Sequence, residues 1–96
     1  MNTDTITKIE KEFIPGLSLH YHEVLDLPEQ VLYRKLLLQK AMILGNTHHT
    51  KVKLVFSSDQ GIFQVETTVW AATDDFVLLK GGVYLPVGSI MDVIIP

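Results

Sequence analysis

The spacing of apolar residues changes along the chain, and each change marks an element. From Leu27 to Leu44 they recur at helical spacing, which predicts the main helix. Pro28 suits its first turn, Asp26 or Leu27 its cap, and Glu29 the positive end of its dipole. Lys40 lies near the other end, and Gly45-Asn46 is expected to supply a left-handed stop. From Lys51 onward the runs become short and rich in β-branched and aromatic residues. They are Lys51 to Phe56, Ile62 to Trp70, Phe76 to Lys80 and Val83 to Val87, and a final stretch closes at Ile95. Turn signals separate them: Ser57 to Gly61, Ala72 to Asp75, Gly81-Gly82 and Gly88-Ser89. Strands this close pair antiparallel, because a parallel crossover needs about a dozen residues or more. The turn ending at Gly61 reads as a hairpin loop, and Gly81-Gly82 as a tight two-residue hairpin. The fold class expected is α+β, with one main helix (27–44) packed on a strongly bent antiparallel meander or small barrel (51–95).

The first part of the chain is less regular. Ile6, Ile9 and Phe13 stand at helical spacing, with Thr3 or Asp4 as cap and Pro15-Gly16 as the end. Residues 1–16 read either as that helix or as a loosely held terminus. Leu17 to Leu25 alternates as a strand, with Leu17, Leu19 and Tyr21 opposite Ser18, His20 and His22.

The main helix is apolar nearly all the way round. Val31, Leu38 and Met42 point one way, Leu32, Leu36 and Ile43 another, and Tyr33, Leu37, Ala41 and Leu44 a third. Such a helix is covered on more than one side. One side must be the sheet, and the other is expected to be a second subunit. The sheet repeats the hint, because Val55, Ile62 and Trp70 lie among polar residues on the face opposite Val52, Leu54 and Phe56. A homo-oligomer is therefore expected.

Composition narrows this further. Ninety-six residues suggest one domain, 1–96, which buries roughly two-thirds of its unfolded surface without staples. With 47% apolar and 20% charged residues the chain reads as globular rather than disordered. It has no cysteine, which excludes thiol nucleophiles, thiolate metal sites and disulfides and fits a reducing compartment. Residues 1–12 lack the cationic start and apolar stretch of a signal peptide, and no apolar run approaches the ~20 residues that span a bilayer. A cytoplasmic protein with no membrane partner is expected.

Net charge is −3, but it is unevenly spread. Residues 30–58 hold Arg34, Lys35, Lys40, Lys51 and Lys53 and no acid, with His48 and His49 among them. Acids dominate on both sides of this stretch. Such a block either meets an anionic partner, nucleic acid included, or pairs with the acidic blocks inside the fold or across a dimer. Trp70 and Tyr84 are the aromatic candidates for ligand contact, and Trp70 is also a candidate interface residue.

Metal chemistry has one candidate. His20 and His22, two apart on a strand, project from one face and can reach one divalent transition metal ion. The pair and Pro86-Val87-Gly88 resemble the two motifs of cupins. The residue three beyond that glycine is Met91 rather than histidine, and Glu29 falls outside the usual spacing. The alternative is a solvated or hydrogen-bonded histidine pair. Ser57-Ser58 lacks a nucleophile elbow, and the chain has no phosphate loop or dinucleotide fingerprint. It reads as non-enzymatic, with no cofactor expected outside the metal alternative.

The carboxy-terminal half resembles Sm-like proteins. The matching parts are the helix to Leu44, Asp59-Gln60-Gly61, Phe76 to Lys80, and Ser89 to Pro96. The resemblance implies a helix before a five-stranded bent barrel that assembles into rings. Glu66-Thr67-Thr68 stands where that family carries a glycine, and no uridine-pocket motif carries over. The chain is also similar to a group of short bacterial proteins of unassigned activity. That likeness rests on Gly45-Asn46, Lys51-Val52, Val65 to Trp70, Leu79 to Gly82, Pro86 and Ile90. The expectation is a self-associating binding or assembly module. The alternatives are a metal-binding protein using His20 and His22, and a purely structural subunit.

Overall fold

The computed structural model describes residues 5–96. Strand β1 (Ile6–Lys8) leads through a 3-10 turn (Lys11–Gly16) and an irregular segment to helix α1 (Pro28–His48). Strands β2 (Val52–Ser58), β3 (Gly61–Thr67), β4 (Val69–Ala72), β5 (Phe76–Leu79) and β6 (Val83–Pro86) follow, then a short 3-10 turn and β7 (Ile90–Ile94). One sheet has the order β1-β3-β2-β7 and the other β4-β5-β6. The chain is thus an α+β protein, one main helix on two sheets, and every pairing after α1 is antiparallel. No closed barrel forms among the described residues; the bent meander does.

The bend lies inside what the pattern reads as one strand. Ile62 to Trp70 divides at Thr68, so β3 and β4 belong to different sheets. The Thr68 side chain is buried there, and its carbonyl accepts the Lys80 N–H at 2.9 Å. Just beyond, Val69 pairs with Leu79 but Ala71 pairs with Leu78, so Trp70 is the extra residue of a β-bulge. Its side chain stays 43% exposed.

Four expectations need correction. The helix placed over residues 3–13 is instead β1, paired parallel with β3, followed by the 3-10 turn; Thr3 and Asp4 lie outside the described residues. The open edge of β3 supplies backbone partners there, Ile9 N–H to Gln64 O at 2.9 Å included, and the turn carries Ile14 into the core. The strand placed over Leu17 to Leu25 is reduced to a single bridge, Leu19 to Ser58, although Leu17 and Leu19 do pack on the core. Finally, α1 does not stop at Gly45-Asn46 but runs to His48, and His49 takes the left-handed cap with φ 55°. Gly45 serves close approach to β4 rather than chain reversal. The β5–β6 hairpin also differs, with a three-residue loop, Lys80 to Gly82, whose two glycines adopt positive φ.

Arg34, Leu38, Ala41 and Gly45 form the buried face of α1. Leu38 and Ala41 join Val52, Leu54, Phe56, Val65, Val69, Val77, Leu79, Leu85, Ile90 and Val93 in the core. The Leu27 N–H donates to the Gln30 side chain at 3.3 Å, which makes Leu27 the cap. No described helix is long and apolar enough to cross a membrane.

Candidate functional site

The side of α1 turned away from the sheets is unusual for a surface helix. At 100° per residue, Leu32, Leu36 and Ile43 fall within about 40° of arc, opposite the buried face. They are 57%, 58% and 57% exposed, and Tyr33 beside them is 64% exposed. An amphipathic helix would place polar residues there. One of the three apolar sets read from the pattern has thus been left uncovered.

The basic block does not converge. Arg34 is only 5% exposed and grips Glu23 with both terminal nitrogens, Nη1 to Oε2 at 2.7 Å, while Nη1 also donates to Ile90 O at 2.9 Å. The guanidinium beside Glu23 is the main reason its carboxyl titrates below the ordinary range. Lys35 pairs with Asp74 at 3.3 Å across an exposed surface. Lys40 projects from the outer side of α1. Lys51 and Lys53 border a groove of about 340 Å³ that Lys8 also lines, together with Glu10 and Glu66. A second cleft of about 300 Å³ lies between α1 and the β4–β5 turn, with Glu23, Arg34, Lys35 and Asp74 in its wall. A third, of about 120 Å³, lies between α1 and β7.

His20 and His22 do come together, with ring centroids 5.0 Å apart. Both nitrogens of His20 are engaged, however. Asp59 lies 2.8 Å from Nε2 and Ser57 Oγ 2.9 Å from Nδ1. A carboxylate only accepts, so Nε2 carries a hydrogen toward Asp59, and Ser57 Oγ is the partner of Nδ1. No group of three metal-binding side chains converges among the described residues. The Asp–His–Ser order is the one that activates a serine in acyl transfer. None of the three clefts is lined by these residues. Neighbouring bonds give the chain another role. Asp59 N–H donates to Ser18 O at 2.9 Å, and Ser18 N–H to the Gln60 side chain at 3.0 Å. Together these fasten the irregular segment after the first 3-10 turn to the β2–β3 hairpin.

The pattern singles out Tyr84 but not the two aromatic residues that join it in an exposed patch. Phe76 lies edge-on to Tyr21 and to Tyr84, each at 6.3 Å, and all three are exposed. Alternation along β5, with Val77 and Leu79 buried between, was the available signal. Asp74 and Asp75 flank this patch in sequence, which disfavours a polyanion there. Comparison of the chain with protein-family models, curated proteins and solved structures finds no match.

Proposed function

We propose that this protein is a cytoplasmic, non-enzymatic assembly module that associates with itself through the outer face of α1. The observation that carries this reading is the exposed stripe of Leu32, Leu36 and Ile43 with Tyr33 beside it. Scattered apolar residues on a surface need no explanation, but a contiguous stripe along a helix marks an interface. Sedimentation across the micromolar range is expected to show a concentration-dependent dimer or larger species. Leu36→Glu should yield a monomer whose unfolding free energy stays within about 0.5 kcal/mol of the parent, because the position is exposed. A parent chain that stays monomeric throughout this range overturns the reading.

A second reading is an anion site in the groove of Lys8, Lys51 and Lys53, since β1 brings a third lysine to the two on and beside β2. It predicts oligonucleotide binding that falls steeply with salt. Binding unchanged by reversing the charges of Lys51 and Lys53 removes it.

A further inference from the structure

We infer that the partner covering α1 is the same helix of a second copy, running antiparallel, an inference that rests on the self-association reading. Glu29, Leu32, Leu36, Gln39, Ile43 and Asn46 follow one another at spacings of three and four, the seam of a two-helix contact. Tyr33 and Lys40 flank this seam on one side, and Lys35 and Met42 on the other. The flanks decide the direction.

In a parallel pair, Lys35 of each copy comes beside Lys40 of the other, so two like-charge contacts form by symmetry, each offset only in part by the exposed Lys35–Asp74 pair. In an antiparallel pair each flank meets its own counterpart reversed. Lys40 then lies over the Tyr33 ring of the second copy, a cation–π arrangement, and Lys35 lies beside Met42. Along the seam Leu32 meets Ile43, Leu36 meets Gln39, and Glu29 meets Asn46, with no charge facing a like charge. Gln39 is the polar seam residue of the kind that fixes register. The 21 residues of α1 span about 31 Å, so the helix pair covers roughly 300–400 Å² per copy. A standard interface covers about 800 Å² per partner, so this pair is expected to be a weak, transient one.

Because the chain has no cysteine, single-cysteine variants report the direction directly. Leu32→Cys and Ile43→Cys, each made at an exposed position, are oxidised alone and as an equal mixture. The antiparallel pair predicts a mixed 32–43 disulfide and little self-linkage. Two copies of position 32 would stand about 16 Å apart, beyond the ~7 Å a disulfide spans. Efficient self-linkage of Leu32→Cys means a parallel pair and overturns the inference while self-association stands. A sedimenting dimer with no cross-link at either position overturns this interface altogether, and a monomeric parent overturns both readings. Lys40→Glu gives an independent measure: about tenfold weaker association is expected from two lost cation–π contacts. Tighter association would point to a relieved Lys35–Lys40 repulsion, and so to the parallel pair.

Discussion

Gly45→Ala is expected to destabilise the protein by about 2 kcal/mol, against the usual sign of this exchange in a helix interior. In an exposed helix the added methyl gains about 1 kcal/mol, because glycine loses more backbone freedom on folding. Here a Cβ would stand 2.3 Å from the Val69 carbonyl oxygen and 3.0 Å from Thr68 Cγ2. The obstacle is backbone at the start of β4, so no side chain can swing away. Either α1 lifts from the second sheet or the bulge at Trp70 shifts. Urea unfolding measures the loss as a lower midpoint with unchanged slope. Gly16→Ala is the control, since no heavy atom stands within 4 Å of its Cβ position and its change should stay within about 0.5 kcal/mol. A Gly45→Ala protein as stable as the parent would mean that α1 stands farther from β4 than described.

The same glycine shows where local reading ends. Gly-Asn after a helical run is a sound stop signal, and only a contact 24 residues away reveals why the glycine is there. The start of α1 was legible because Pro28 and Leu27 act through neighbours in sequence. The turn at Gly61 was legible for the same reason, its positive φ being a property of one residue. The break at Thr68 was not, since Val65 to Val69 carries no glycine or proline and the bend is imposed by the second sheet. At the candidate site the uncovered apolar set was visible as excess. Which of the three sets would remain exposed depended on where Arg34 and Leu38 turned. The scattering of the basic block was hidden as well, because Glu23 reaches it from the irregular segment before α1 and Asp74 from the turn after β4.

Glu23→Ala is expected to cost about 2–4 kcal/mol, and Arg34→Met about 1 kcal/mol or less. The asymmetry follows from where each charge sits. The Arg34 side chain is 5% exposed, whereas that of Glu23 is 37% exposed. Removing the carboxylate strands a buried guanidinium whose Nε already lacks a partner among the described residues and whose remaining acceptor is Ile90 O. Removing the arginine leaves a carboxylate that water reaches and that still accepts the Leu25 N–H at 3.0 Å. Methionine then fills the volume without a charge to desolvate. Acid should reproduce part of the first effect. Because the Arg34 bond holds the Glu23 carboxyl below its ordinary value of 4.5, the unfolded chain takes up this proton first as pH falls. The stabilisation is therefore complete at neutral pH, begins to fall near 4.5, and is lost as pH drops through the folded value. Glu12, held low by its own backbone bond and by Lys11, adds to the same limb in parent and variant alike. The difference between parent and Glu23→Gln thus isolates Glu23. Urea midpoints between neutral pH and pH about 3 should show that difference shrinking as acid protonates the parent. A difference that stays constant through this range would mean that Arg34 is not held by an ionised Glu23.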